Sequence, residues 1–576
     1  MISVACVAVM VFGLWVLRWA GPIDLRYDAG VYYVLGTSLA TGHGYRILSE
    51  PGSPADIQYP PLLPVMVAAH QTLLGTTDPA IVAPWLRRSY ALMFLAYGLA
   101  VLAVARAFLP GWPALLATAL CLGQSNTYLF SDMLFTELPF SLVCAAFVLL
   151  IVTRRCSARP RMREAGLFLL AAAAFLLRTA GIALLLTWVL DAWFRRAWKL
   201  GLLRALVALV PVLAWQGYVW HVKASEEYLH PTYAYQRAPY QFYNVTYGEN
   251  LALRDPFRPE LGRVQVGDLF RRFAANVVSL PRALGESVSE SSGLWRAALK
   301  GGAETGPPHA WPNLAARTPL YLLALLVVLG GVVLARRGGW IPVTFVVVSI
   351  GLICTTPWPD QIGRYLAPLF PFLAVALMVG LLEMDRILRR QQSRRTMWLG
   401  RVGMVGLLAA VFAVQAYSAA LIFWQRHYDP ATFVPGRGLD APRLFYYGTA
   451  WVDWEKAVRW TEKKARRHDI VVTAAPHLLY LWTDLKAVMP PMENDPVKAR
   501  ELMEGVPAPW VIVDDFGFLD ISRRYAAPAV VTDPTRWRLV QKFGATRIYQ
   551  RFHGALIDGT NSNTALAWRE TGGERR

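Results

Sequence analysis

The sequence predicts a polytopic α-helical membrane protein that carries a small C-terminal α/β domain. Three observations lead there. Charged residues make up only 17% of the 576 residues, against about 25% in soluble globular chains. Apolar runs of roughly 20 residues recur from Met1 to about Trp424, each long enough to cross a hydrocarbon core of about 30 Å. From Gln425 to Arg576 such runs stop and charge becomes frequent. The chain therefore divides into a membrane part, residues 1–424, and a tail, residues 425–576.

The predicted spans, about eleven at this length per crossing, cover residues 2–20, 86–107, 113–130, 133–153, 166–178, 180–194, 202–221, 318–335, 340–356, 365–383 and 402–424. The first has no basic start and no Ala-x-Ala cleavage site, so it reads as a retained helix and not a signal peptide. Residues 166–194 admit either one long helix or a short hairpin turning at Arg178-Thr179. Charge decides for the hairpin. With it, and with a cytoplasmic N-terminus, four basic clusters all lie inside: Arg154 to Arg163, Arg195 to Arg204, Arg336 with Arg337, and Arg386 to Arg401. That is the arrangement short Lys/Arg-rich loops favour. A single long helix would send three clusters outside and leave an arginine in mid-membrane, at about 2.5–3.5 kcal/mol. The loops 21–85 and 221–317, the turns at Ser131-Asp132 and Pro357 to Arg364, and the tail then share the extracytoplasmic face.

In the tail, Trp451 to Arg467 is an amphipathic helix candidate, and Ile470 to Thr473, Trp510 to Val513 and Thr546 to Tyr549 are strand candidates. Gly301 to Pro312 is a Gly/Pro-rich break in the second long loop. The net charge of +19 sits largely in the short basic loops, which argues against nucleic acid as a partner and for a bilayer. The five cysteines, Cys6, Cys121, Cys144, Cys156 and Cys354, form no Cys-x-x-Cys pair, so neither a disulfide framework nor a thiolate metal site is expected. With no Gly-rich phosphate loop and no His/Asp cluster either, no obligatory metal or cofactor is expected.

Candidate chemistry gathers in three stretches. In YDAGVYYVLGTSLATGHGYR, Asp28 follows the first span directly, and Val31, Leu35 and Leu39 draw the apolar face of a helix lying on or near the surface. A capping role for Asp28 is the plain alternative. In SDMLFTELPF, Asp132 sits in a turn and Glu137 one helical turn into the next span, where an ionisable group normally faces a cavity or a partner. In PWPDQIGRYLAPLFPF, Arg364 and Tyr365 open a span broken by Pro368 and Pro371, while Arg178 occupies the hairpin turn. Two guanidinium forks on the carboxylates' face suit a phosphate; either arginine alone reads equally well as snorkelling to headgroups. Tyr228, Tyr233, Tyr235, Tyr240, Phe242, Tyr243 and Tyr247 suit sugar stacking or the headgroup belt. His230, His309 and His477 are expected at the surface.

Taken together, the Asp28-Ala29 pair, Tyr59-Pro60-Pro61-Leu62 with Pro64, Thr136-Glu137-Leu138-Pro139, Arg178-Thr179-Ala180-Gly181 and Arg364-Tyr365-Leu366-Ala367-Pro368 resemble the glycosyltransferase C superfamily. The likeness is to the branch of protein O-mannosyltransferases and lipid A aminoarabinose transferases, and it covers residues 1–424. The tail resembles small extracytoplasmic domains appended to bacterial members. The resemblance implies a multi-pass inner (plasma) membrane enzyme. Such an enzyme moves a sugar from a polyprenyl-phosphate donor to a glycan, lipid or protein acceptor outside the cytoplasm, with inversion. It implies Asp28 as general base, Arg178, Arg364 and Tyr365 around the donor phosphate, and Tyr59 against substrate. Many relatives carry a second acidic residue directly after the loop aspartate. Here Ala29 stands there, which leaves Asp132 or Glu137 to supply the second carboxylate. A transporter or flippase of a lipid or small solute, or a non-catalytic scaffold presenting the tail, are the competing expectations.

Overall fold

Proline and capping side chains set where the long helices start. Asp78 accepts a hydrogen bond from the Ala80 amide at 2.8 Å, Pro79 occupies the first helical turn, and the helix then runs unbroken to Phe108. Such an N-cap satisfies one of the amides that a helix start leaves without an intrahelical partner. The computed structural model describes residues 2–18, 22–153, 160–299, 310–390, 394–427, 447–517 and 520–552. His309 and most of the Gly301 to Pro312 break lie outside them.

Among the described residues five helices are long and apolar enough to cross a bilayer: Pro79–Phe108, Trp198–Lys223, Leu314–Arg336, Pro359–Arg389 and Arg394–Gln425. Further apolar helices, including Ile2–Leu17, Gly111–Gly123, Glu137–Val152 and Trp340–Ile353, are shorter. Residues 166–194 are broken where charge requires it. The helix Pro160–Leu177 ends, Arg178 is extended (φ −158°, ψ 131°), a 3₁₀ turn spans Thr179–Gly181, and Ile182–Phe194 returns alongside. Gly181 is needed there, because a Cβ would lie 2.3 Å from the Ala174 carbonyl carbon. At the far end of the hairpin Arg204 pairs with Glu164 and Asp191, each at 2.9 Å. One guanidinium thus ties three helices together.

The loop 21–85 contains two helices, Asp28–Ala40 and Leu62–Leu74. The expectation of a helix on or near the surface is overturned: Ala29 through Gly36 are buried. Val31 and Leu35 do share a face, packed on Ile47, but the opposite face is covered too. The cover comes from the Leu62–Leu74 helix, whose Val67 meets Gly36, and at the start of the helix from the tail, whose His477 meets Gly30.

The tail forms a five-stranded sheet in the order β2-β1-β3-β5-β4, with β1 Val471–Val472, β2 Ala487–Val488, β3 Trp510–Val513, β4 Trp537–Phe543 and β5 Thr546–Arg551. The first three are parallel and the last two antiparallel to their neighbours. The amphipathic helix covers Thr449–Lys464 and buries Trp451, Trp454 and Val458. Loop 221–317 wraps into this sheet. Tyr233 and Tyr235 lie in one core with Val472 and Val511, so they serve neither sugar stacking nor a headgroup belt. Loop 21–85 is fastened as well, the Ala487 amide donating to the Ser49 carbonyl at 2.8 Å. His477, expected at the surface, is 2% exposed, because its helix, Pro476–Thr483, lies on the start of Asp28–Ala40 and its Cβ faces Gly30.

Candidate active site

Asp28 is the first residue of its helix, and the backbone that delivers it is strained. Tyr27, at the N-cap, sits at φ 59°, ψ −136°, a region that costs a non-glycine residue about 1–3 kcal/mol and persists only where surroundings over-determine it. The surroundings are identifiable. The Trp451 ring meets the Tyr27 ring edge-on at 5.6 Å, and Arg26, locked to Asp24 at 2.7 Å, lies over both rings.

Four charged side chains from four separate segments then converge. Arg364 Nη2 donates to Asp28 Oδ2 at 2.9 Å, and Arg364 Nε donates to Glu137 Oε1. Arg178 Nη1 reaches the same glutamate oxygen at 2.8 Å and stands over the Tyr365 ring at 5.1 Å. Tyr59 donates to the other Asp28 oxygen at 3.3 Å. The order is Asp28, Arg364, Glu137, Arg178: two carboxylates and two guanidiniums whose formal charges cancel. Glu137 is fully buried, whereas the side chains of Asp28, Arg364 and Arg178 are 26%, 22% and 21% exposed. The buried glutamate is thus an anchor for two arginines, and the aspartate is the carboxylate that stays open to solvent.

Neighbouring side chains fix this arrangement. Asn276 donates to the carbonyls of Cys354 and Thr356, each at 2.9 Å, and so holds the turn leading into Arg364. Phe135 lies under the Arg364 guanidinium at 4.3 Å. Asp56 accepts from the Tyr59 amide at 3.1 Å, which positions the tyrosine beside Asp28. Burial pushes the Asp56 carboxyl up to about 7.

The sequence placed Asp28, Glu137, Arg178, Arg364, Tyr365 and Tyr59 in the site, and the structure brings these six together. Asp132 is engaged elsewhere. It is buried between Arg18, at 2.5 Å, and Arg87, in the packing of the Ile2–Leu17 and Pro79–Phe108 helices. Asp56, Phe135, Asn276 and Trp451 were not singled out for the site, and Tyr243 was read only as one of the loop aromatics suited to sugar stacking or the headgroup belt. No local motif marks Asn276 or Trp451, whose partners are distant in sequence. Among the described residues no group of three or more His, Cys, Asp or Glu side chains is placed to hold a metal ion.

Comparison with protein-family models and with curated proteins finds no match. Among solved structures, the fold is similar to that of the archaeal oligosaccharyltransferase AglB from Archaeoglobus fulgidus, in complex with an inhibitory peptide and a dolichol-phosphate. The TM-score is 0.53 at 11% identity, over 96% of this chain and 74% of that one. The two chains share a fold over that span. ArnT from Cupriavidus metallidurans bound to undecaprenyl phosphate aligns over 95% of this chain and 97% of its own, at 13% identity and a TM-score of 0.46.

Two outcomes follow from the geometry. Glu137→Gln removes the charge that two largely buried arginines share, so it is expected to cost about 3 kcal/mol or more. Asp28→Asn, at a half-open position, is expected to cost far less; thermal unfolding of the two purified variants checks the order. Second, the raised Asp56 value means that the folded chain holds this proton more tightly than the unfolded one. Its stabilising contribution is full below the ordinary carboxyl range and is lost as pH rises through about 7. Unfolding midpoints between pH 5 and 8 should therefore decline less steeply in Asp56→Asn than in the wild type.

Proposed function

We propose that the chain is a membrane glycosyltransferase that moves a sugar from a polyprenyl-phosphate donor to an acceptor hydroxyl on the extracytoplasmic face of the inner membrane, with Asp28 as general base. The observation that carries the reading is the single guanidinium of Arg364 held between Asp28 and Glu137, with Arg178 on the same glutamate oxygen. The fold shared with AglB, whose structure contains a dolichol-phosphate, is consistent with it.

In this reading the acceptor hydroxyl attacks the anomeric carbon and gives its proton to Asp28. The bond from that carbon to the phosphate oxygen breaks, and the electron pair leaves with the lipid phosphate. The attack is in line, so the anomeric centre inverts. The phosphate gains negative charge as the bond breaks, and Arg364 and Arg178 are already desolvated and oriented to meet it, which is where electrostatic catalysis is strongest. Protonation of Asp28 simultaneously removes the charge that Arg364 was neutralising, so that guanidinium turns its full charge toward the leaving group. Tyr365, under Arg178, and Tyr59, against Asp28, border the space for the donor headgroup. Glu137 takes the place of the second carboxylate and acts through the arginines, while Asp132 serves the packing of the first helix.

The reaction is tested by incubating the full chain, in lipid, with a panel of radiolabelled polyprenyl-phosphate sugars and following release of polyprenyl phosphate. Wild-type protein is expected to turn over at least one donor. Asp28→Asn is expected to lose about 10²–10⁴-fold while staying folded. Equal turnover by both proteins contradicts the assignment of the base, and turnover by neither across the panel contradicts the donor class.

A further inference from the structure

Loop 221–317 contains a helix that is amphipathic in the reverse of the usual sense. In Val266–Ser287, Val266, Leu269, Phe270, Phe273, Val277 and Val278 are all exposed, at the spacing that draws one helical stripe. Phe270 and Val278 are 72% and 80% exposed. The other face is polar and turned to the protein. Asp268 accepts from Arg254 Nε at 3.0 Å. Arg272 donates to the carbonyls of Leu251 and Leu253 at 3.0 and 2.7 Å, and the Asn276 amide holds the carbonyls of Cys354 and Thr356. A helix on a water-facing surface buries its apolar stripe and exposes its charges. Here the polar groups are used inward and the apolar stripe is left outside.

Two anchors fix where that stripe lies. Leu314–Arg336 and Trp340–Ile353 are consecutive apolar helices joined by the turn Arg337 to Gly339, so the start of the first and the end of the second lie at one membrane face. Gly285 packs near the start of the first, where a Cβ would lie 2.2 Å from the Leu320 carbonyl oxygen. Asn276 bonds just beyond the end of the second. The two contacts are about 14 Å apart along the helix and lie at the same face. The helix therefore runs along the membrane boundary and not away from it. Leu314, Leu322 and Leu325 on the neighbouring helix are exposed as well, as the lipid-facing residues of a span are.

Charge selects what lies around the stripe. Arg271 and Arg282 stand beside it and are exposed, as are Arg258 and Arg263 in the segment leading into the helix. Residues 254–282 carry Arg254, Arg258, Arg263, Arg271, Arg272 and Arg282 against Asp255, Glu260 and Asp268. An apolar stripe flanked by arginines is the make-up of a helix that lies in the headgroup layer and is drawn to anionic lipid.

We infer that the Val266–Ser287 helix lies in the headgroup layer of the bilayer, with the Phe270 face among the acyl chains and the arginines on anionic headgroups. Because Asn276 holds Cys354 and Thr356, the turn that leads to Arg364 then lies at headgroup level.

The test is photo-cross-linking of the full chain in nanodiscs of equimolar phosphatidylglycerol and phosphatidylcholine, each radiolabelled in turn. The photoreactive residue p-benzoylphenylalanine is placed at Phe270, at Val278 or at Val497, an exposed apolar position on the tail helix Pro496–Glu504. Lipid adducts are expected at Phe270 and Val278 and none at Val497, with phosphatidylglycerol labelled about three-fold or more over phosphatidylcholine. Arg271→Gln with Arg282→Gln is expected to abolish that preference while the adducts persist. Should one substituted chain fail to fold, the other helix position carries the same expectation. Absence of lipid adducts at the helix positions, an equal yield at Val497, adducts to a second copy of the chain in place of lipid, or labelling indifferent to lipid charge or to the two arginines overturns the inference. No turnover enters the readout, so this result and that of the sugar-transfer assay are independent.

Discussion

One guanidinium organises the site: Arg364 is shared between Asp28, from the first loop helix, and Glu137, from the start of a membrane helix. Groups this far from water exist as ions only when paired and hydrogen-bonded. The ends of three segments must therefore arrive together, and the other contacts read as means to that end. Arg178 needs a broken helix to reach Glu137, so residues 160–194 fold as a hairpin with Gly181 at the tight approach. Arg364 needs its turn held, and Asn276 holds it. Asp28 needs a strained tyrosine before it, and Trp451 and Arg26 hold that tyrosine.

The tail is accordingly part of the site's support. Trp451 grips Tyr27, His477 lies on Gly30, and Ser49 is bonded to both the His477 ring and the Ala487 amide. Loop 221–317 closes the structure from the other side, burying Tyr233 and Tyr235 in the sheet core and stacking Tyr243 on Tyr59. Asp28 is thus held by residues hundreds of positions apart in the chain.

That separation explains what was legible in the sequence. Features set by local physics came through. An arginine in the middle of an apolar run marks a break, and it is there at Arg178. The apolar segment Trp510 to Val513 marks a strand with the observed ends. Charged residues at membrane depth mark a site, and Glu137, Arg178 and Arg364 meet. Features set by distant partners did not. β2 is two residues long and carries no pattern of its own. His477 looks like a surface residue, and Tyr233 and Tyr235 like sugar-stacking or headgroup-belt residues, until the tail folds over them. Asp132 looks as available as Asp28, because nothing local reveals that Arg18 and Arg87 enclose it.

The most direct test of Arg364's shared role is binding of polyprenyl phosphate to the wild type and to Arg364→Lys in nanodiscs, followed by ³¹P NMR. Lysine keeps the charge near Asp28 and Glu137 but lacks the planar fork that holds both carboxylates at once. A folded Arg364→Lys protein that binds the lipid phosphate about ten-fold or more weakly than wild type, near 1.4 kcal/mol, is the expected result. Equal binding by the two proteins would show that the phosphate does not sit on this guanidinium, and the account of the site would fail with it.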